Sequence, residues 1–375
     1  MKRKQRGPSL FVYATAIAVA LTVGAASAAA ASGTKGAVFT ETNAAGGNSV
    51  LIFDRAADGT LHAAGSVATG GLGSGAGLGS QGAVVLSDNG EELYVVNAGS
   101  SEITAFDVKH KDELKLVAKV GSGGVRPISL TVHGHLLYVL NSGGGVAPGN
   151  ITGFRIGNHG DLSPLANSTR SLSGAAVGPA QIEFSPDGGV LVVTEKGTNS
   201  IDTYAVGENG LSVGPYVQAS AAATPFGFAF DKRGNLIVSD AFGGAAGASE
   251  LSSYSVSDSG VLSVVTPHAA DGQTAACWVV VTKDGRFAFT TNTGSSNVSS
   301  YAVGNDGSIS LLNGSAGATG AAPTDAALSA GSRFLYTLDT GAHGISAFGV
   351  GDDGSLGSLG GLSGLPAGAV GLAAS

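Results

Sequence analysis

The 375-residue chain has one cysteine, one methionine and one tryptophan, and only 12% of it is charged. A lone Cys277 excludes an intrachain disulfide, so stability has to come from packing and strand pairing. Cations are the scarcer sign, with 19 Lys and Arg against 27 Asp and Glu and a net charge of −8. Such a balance disfavours nucleic acid and anionic lipid as partners, because both need a basic face. No segment sustains a helical period of apolar residues. Long apolar runs are missing as well, except at the start, where Leu10 to Val23 is shorter than the roughly 20 residues a membrane helix needs.

That run follows Lys2, Arg3, Lys4 and Arg6 and precedes Ala26-Ser27-Ala28. A basic stretch, a short apolar stretch and a small-x-small site are the three parts of a secretory signal. Residues 1–28 are therefore expected to be a cleaved signal peptide, with a secreted (extracellular or periplasmic) product that has no membrane insertion after cleavage. An uncleaved anchor is the alternative. Cleavage would remove four cations and no acid, moving the net charge from −8 to −12.

What the sequence does have is glycine, 62 of them, and one hairpin written repeatedly. LYVVNAGSSEITAF (93–106) reads as a strand, a Gly/Ser turn and a strand. LYVLNSGGG with ITGF, LVVTEKGTNSIDTY, LIVSDAFGG with LSSY, FAFTTNTGSSNVSSY and LYTLDTGAHGISAF repeat it. Aligning them sets Asn43, Asn97, Asn141, Glu195, Asp240, Asn292 and Asp339 at one place, about 44 to 54 residues apart. A period of that size with several short strands per unit is the signature of a propeller blade. Asp58-Gly59, Asn209-Gly210, Asp306-Gly307 and Asp353-Gly354 supply the positive φ that the outermost hairpins need. Six units carry a first strand, whereas the N-terminal unit opens directly on the second-strand text GAVFTET, and LPAGAVGLAAS at the other end supplies the missing piece. The expected fold is all-β: a seven-bladed β-propeller of four-stranded blades over 32–375, its N-terminal blade closed by the C-terminal strand.

Several short motifs have plainer readings than their patterns suggest. GLSVG (210–214) fits a G-x-S-x-G nucleophile elbow but enters a strand rather than a helix. Gly77, Gly79 and Gly82 fit G-x-G-x-x-G, yet a strand follows and the segment reads as a linker between blades. His133-Gly134-His135 reads as a turn, with no third ligand at metal spacing. The sequons at Asn150, Asn167, Asn297 and Asn313 are what turn-rich text produces by chance.

First strands line a propeller's axis, and alternation decides which side chains face it. The phenylalanines of TPFGFAF set a register that gives an upper ring of Ala83, Ser129, Gln181, Gly227, Trp278, Asp325 and Gly368. The ring below it is Val85, Thr131, Glu183, Ala229, Val280, Ala327 and Val370. Gln181, Glu183, Trp278 and Asp325 stand out among small neighbours. Loops opening on the face where first strands begin add Arg126, Lys196, Glu195, Asp240, Asn292 and Asp339 to an expected mouth. A tryptophan, carboxylates and an amide converging on a small-walled funnel fit a polar small-molecule site. The plain alternative is a set of axial polar groups that bind channel water.

These blades, with first strands of the type PAQIEFSPDG, resemble the seven-bladed lactonase propellers. That group includes bacterial 6-phosphogluconolactonase-like proteins and fungal 3-carboxymuconate cyclases and shades into the YVTN repeat proteins. The resemblance implies a Pro-His pair on a first strand, a carboxylate from an Ala-Glu-Ile strand and arginines on the substrate. Here the corresponding text is Pro179-Ala180, Gln181 replaces the glutamate, and Lys196 stands at an arginine's place. Glutamine exchanges no proton at neutral pH, which leaves Glu183, two residues on, as the substitute if its pKa is raised.

The resemblance and the residues together give the expected site. Glu183 or Asp325 would serve as acid/base, Trp278 as stacking wall, and Arg126, Gln181, Lys196, Asp240 and Asn292 as substrate contacts, acting on a small sugar acid or its lactone. No cofactor is called for, and a monomer is expected. The rival reading is a non-catalytic scaffold that binds a protein or glycan through loops such as 241–250. A weaker one is a divalent metal held by Asp240, Asp325 and Asp339. If the signal is cleaved, intact-mass measurement of exported protein will place its first residue between about 29 and 33; a mass that includes residues 1–28 would mean an anchor.

Overall fold

The computed structural model describes residues 35–109 and 113–375; the expected signal peptide lies outside them. The described residues form seven antiparallel sheets, six of them following chain order from the innermost to the outermost strand and the N-terminal one taking its innermost strand from the C-terminus. Taken from the inside out, blade 4 is Pro179–Phe184, Val190–Glu195, Ser200–Val206 and Ser212–Ala219. Blades 5, 6 and 7 begin with the inner strands Pro225–Phe230, Ala276–Val281 and Pro323–Leu328. Blade 2 has an inner strand of only three residues, Val84–Leu86, and the outer strand of blade 3 is split into Leu162–Pro164 and Arg170–Ser171. The only helices described are three short 3₁₀ turns, such as Phe242–Gly244.

Closure runs through the C-terminal strand Val370–Ala374, which pairs antiparallel with Gly36–Glu41 of the N-terminal blade. Ala374 faces Val38, Ala373 faces Phe39, and Val370 faces Glu41. Ser375 adds two more bonds, its Oγ accepting from Ala37 N at 2.8 Å and its N donating to Ala37 O at 2.9 Å.

Burial follows a strand's place in its blade. Second strands are sandwiched between neighbours on both edges and other blades on both faces, so all six residues of Val190–Glu195 are buried. Outer strands are mostly exposed, as in Leu61–Ala68. The core therefore lies between blades: Ile128, Tyr138 and Leu140 of blade 3 pack on Ile182, Phe184 and Leu191 of blade 4. Second-strand tyrosines add polar links to the same seams. Tyr138 Oη donates to Gly210 O in blade 4, and Tyr336 Oη donates to Gly59 O across the closure, each at 2.8 Å. Glycine is required at position 59, where φ is +90° and a Cβ would lie 2.4 Å from the Phe334 ring.

Two registers differ from the sequence reading. The second strand of the N-terminal blade ends at Glu41, so Glu41 rather than Asn43 occupies the repeated place. In the closing strand Val370 faces Glu41 and Ala373 faces Phe39, as Pro179 faces Glu195 and Ile182 faces Val193 in blade 4, which puts Leu372, not Gly368, at the level of Gln181.

Candidate functional site in the central channel

The innermost strand of a blade pairs along one edge only, and its other edge turns bare N–H groups toward the axis. An unpaired buried amide costs roughly 1–3 kcal/mol, so each needs an acceptor. The preceding blade supplies it. Ile182 N donates to Ser129 Oγ at 3.2 Å and Phe184 N to Thr131 Oγ1 at 3.0 Å. Phe228 N donates to Gln181 Oε1 at 2.7 Å, and Gln181 Nε2 returns a bond to Phe228 O at 2.8 Å. Asp325 accepts from Ala326 N on its own strand at 2.8 Å and from Leu372 N on the closing strand. The polar residues that stand out along the axis are thus the caps of the next blade's edge.

Below these caps lies a cavity of about 590 Å³ lined by Gln181, Glu183, Asp325, Thr131 and Gln81. It opens on the face where inner strands end, among Asp88, His133, Lys232 and Lys283, opposite to the expected mouth. Glu183 is partly exposed and lines this cavity, and Gln181 Nε2 donates to its Oε2 at 2.9 Å. Burial drives the Glu183 carboxyl up to about 8, against the lowering bonds from Phe230 N–H and Gln181. Burial likewise raises Asp325 to about 8, and its Oδ2 has no partner among the described residues. The cavity therefore holds two carboxyls that titrate near neutral pH.

The other expected contacts are placed elsewhere. Asp240 and Asn292 are fully buried second-strand ends that tie their blades together. Asp240 accepts from Ser252 Oγ at 2.7 Å, while Asn292 donates to Asn297 Oδ1 and Ser299 Oγ, each at 2.8 Å. Asn97, Asn141, Glu195 and Asp339 do the same through Thr104, Asn150, Ser173 and Ser346. Arg126 sits at φ +58° in the loop entering blade 3. Lys196 lies over the Phe226 ring at 4.1 Å, and Phe226 meets Trp278 edge-on at 4.6 Å between centroids. Trp278 is 2% exposed and lines a separate pocket of about 270 Å³ on the face where inner strands begin. Trp278 and Glu183 therefore share no cavity. Among the described residues no three His, Cys, Asp or Glu side chains are grouped for a metal ion, so Asp240, Asp325 and Asp339 form no such site.

The sequence reading missed one residue of this ladder. Gln81 reaches across the axis from the segment before blade 2, its Nε2 donating to Val279 O at 3.0 Å and its Oε1 accepting from Val279 N at 3.2 Å. It copies the Gln181 clamp one blade further round.

A sequence model of the lactonase family, described as a seven-bladed β-propeller, matches residues 46–177, 149–244 and 239–363. The chain belongs to the seven-bladed lactonase β-propeller family. Solved structures agree on the fold of this lactonase-family chain. A periplasmic gluconolactonase of Pseudomonas aeruginosa is 19% identical with a TM-score of 0.66, over 89% of this chain and 98% of that one. A proposed 6-phosphogluconolactonase of Bacteroides fragilis is also 19% identical, with a TM-score of 0.67 over 90% and 98%. A Lactobacillus plantarum protein reaches 0.70 at 17% identity, over 91% and 99%. No curated protein sequence matches this lactonase-family chain.

Burial holds Glu183, Asp325, Asp202 and Asp240 between about 7 and about 8, far above the carboxylate range of the unfolded chain near 4. Between pH about 4 and 8 the folded state thus keeps protons that the unfolded state releases, and stability falls as pH rises. Asp187, held low by the Ser185 hydroxyl, acts in the opposite sense only below that window. The melting temperature should be several degrees higher at pH 5 than at pH 8, and Asp325→Asn should flatten part of that fall. A melting temperature constant from pH 5 to 8 would contradict these assignments.

Proposed function

We propose that this lactonase-family propeller is exported and hydrolyses the lactone of a small sugar acid in the channel cavity, with Glu183 as the proton-transferring group. The observation that carries the reading is Glu183 itself: a carboxyl raised to about 8, facing a cavity of about 590 Å³ and oriented by Gln181 and Phe230 N–H. A base is most effective when its pKa lies near the working pH. In its ionised form Glu183 takes a proton from water as the water oxygen bonds to the lactone carbonyl carbon. The ring C–O bond then breaks and the leaving oxygen takes the proton back, giving the open acid. The neutral carboxyl of Asp325 is a donor for the oxygen that gains charge. Gln181 has both amide hydrogens engaged, by Glu183 and Phe228 O, and acts as a positioning residue. The N-terminal signal pattern and the periplasmic gluconolactonase among the structural relatives support an exported location for lactone chemistry.

One observation favours the scaffold reading instead. Gln181, Glu183 and Asp325 all accept strand-edge N–H groups, a structural use that needs no substrate. Hydrolysis of glucono-1,5-lactone above its spontaneous rate separates the two. Enzymatic turnover should rise with pH and level off above about 8 as Glu183 ionises. Glu183→Gln should lower it by roughly 10²–10⁴-fold without lowering the melting temperature. Wild-type protein inert towards gluconic, galactonic and 6-phosphogluconic lactones, or a Glu183→Gln variant of full activity, would leave the scaffold.

A further inference from the structure

The ladder of edge caps is interrupted at blade 5, and the filling of that gap divides the channel. In blade 5 the position of Gln181 is Gly227, which has no side chain to cap Val279 of blade 6. Gln81 takes that place from across the axis, and the absent side chain makes room for it: a Cβ on Gly227 would lie 2.6 Å from Gln81 Oε1.

The rest of the glycine-rich segment 72–82 is held at several points. Asn43 grips its start, donating to Ala76 O at 2.7 Å and accepting from Ser74 N at 2.7 Å. Lys196 Nζ donates to Gly79 O at 2.6 Å, and Ser80 Oγ donates to Ile128 O at 2.7 Å. Gln81 N donates to Ala180 O at 3.2 Å. Bonds to blades 1, 3, 4 and 6 stretch this segment over the axis. Gly77 to Ser80 line the Trp278 pocket, whereas Gln81 and Gly82 line the Glu183 cavity.

We propose that residues 77–82 are a latched roof, with Gln81 as its positioning residue, that splits the propeller channel into two chambers. A small molecule then reaches Glu183 only through the rim of Asp88, His133, Lys232 and Lys283, and the Trp278 pocket is not part of its path. For the lactone this entry route rests on the proposed function; the roof itself does not.

The only tryptophan reads the roof directly, without any lactone. In wild-type protein Trp278 emission should be poorly quenched by acrylamide. Gln81→Ala should raise the Stern–Volmer constant by at least about threefold through local opening. Lys196→Met, which keeps an unbranched side chain beside Phe226 but loses the Nζ over that ring and its bond to Gly79, should raise it less and is the milder variant if Gln81→Ala fails to fold. Circular dichroism should be unchanged in any variant that is scored. Strong quenching in wild-type protein, or quenching unmoved by both substitutions, would overturn the roof. Either result stands whether or not the protein hydrolyses lactones.

Discussion

Every blade leaves one strand edge unpaired at the axis, and the architecture depends on how those edges are satisfied. The ring closes through Val370–Ala374, so no blade has a spare strand to lend. Several inner-edge amides instead take an acceptor from the blade before them: Ser129 for Ile182, Gln181 for Phe228, Asp325 for Leu372. Where the blade before has only small side chains, backbone or linker steps in, as Gly82 O does for Leu130 N at 2.7 Å. At about 1 kcal/mol net for each bond made, the gain is modest, but the penalty for leaving a buried amide bare is larger.

This constraint sorts channel residues by what they have left to offer. Ser129 and Thr131 are structural caps. Gln181 caps and also holds Glu183 in place. Glu183 and Asp325 are the groups whose protonation changes near neutral pH, because burial that costs little for a neutral acid costs much for its anion. Glu183 and Asp325 also accept edge N–H groups, from Phe230 and Leu372, so the chemistry proposed for the channel sits on the caps that can change protonation.

The blade count and the closure were legible in the sequence because repetition averages over local ambiguity: six hairpins agree, and the odd one out names its own partner. Single registers were harder. TETN places an asparagine two residues beyond Glu41, and Asn43, which resembles the asparagines of the other blades, serves the 72–82 segment instead. Polar residues at second-strand ends looked like a mouth because their partners, hydroxyls and amides on the third strand such as Ser252 for Asp240, are not visible as partners in one dimension. Glu183 was identifiable from its distance to Gln181 along one strand, a local relation. Gln81 was not, since its bond to Val279 joins residues 198 apart, and the only local trace of it is the missing side chain at Gly227.

Amide hydrogen exchange tests the edge-capping account most directly. With Gln181→Ala, exchange at the Phe228 amide should speed up by about tenfold or more relative to wild type, through lost protection of a single edge group. The Val193 amide, in the second strand of blade 4, should be unaffected. Equal protection of Phe228 in both proteins would show that the inner edges do not depend on the preceding blade.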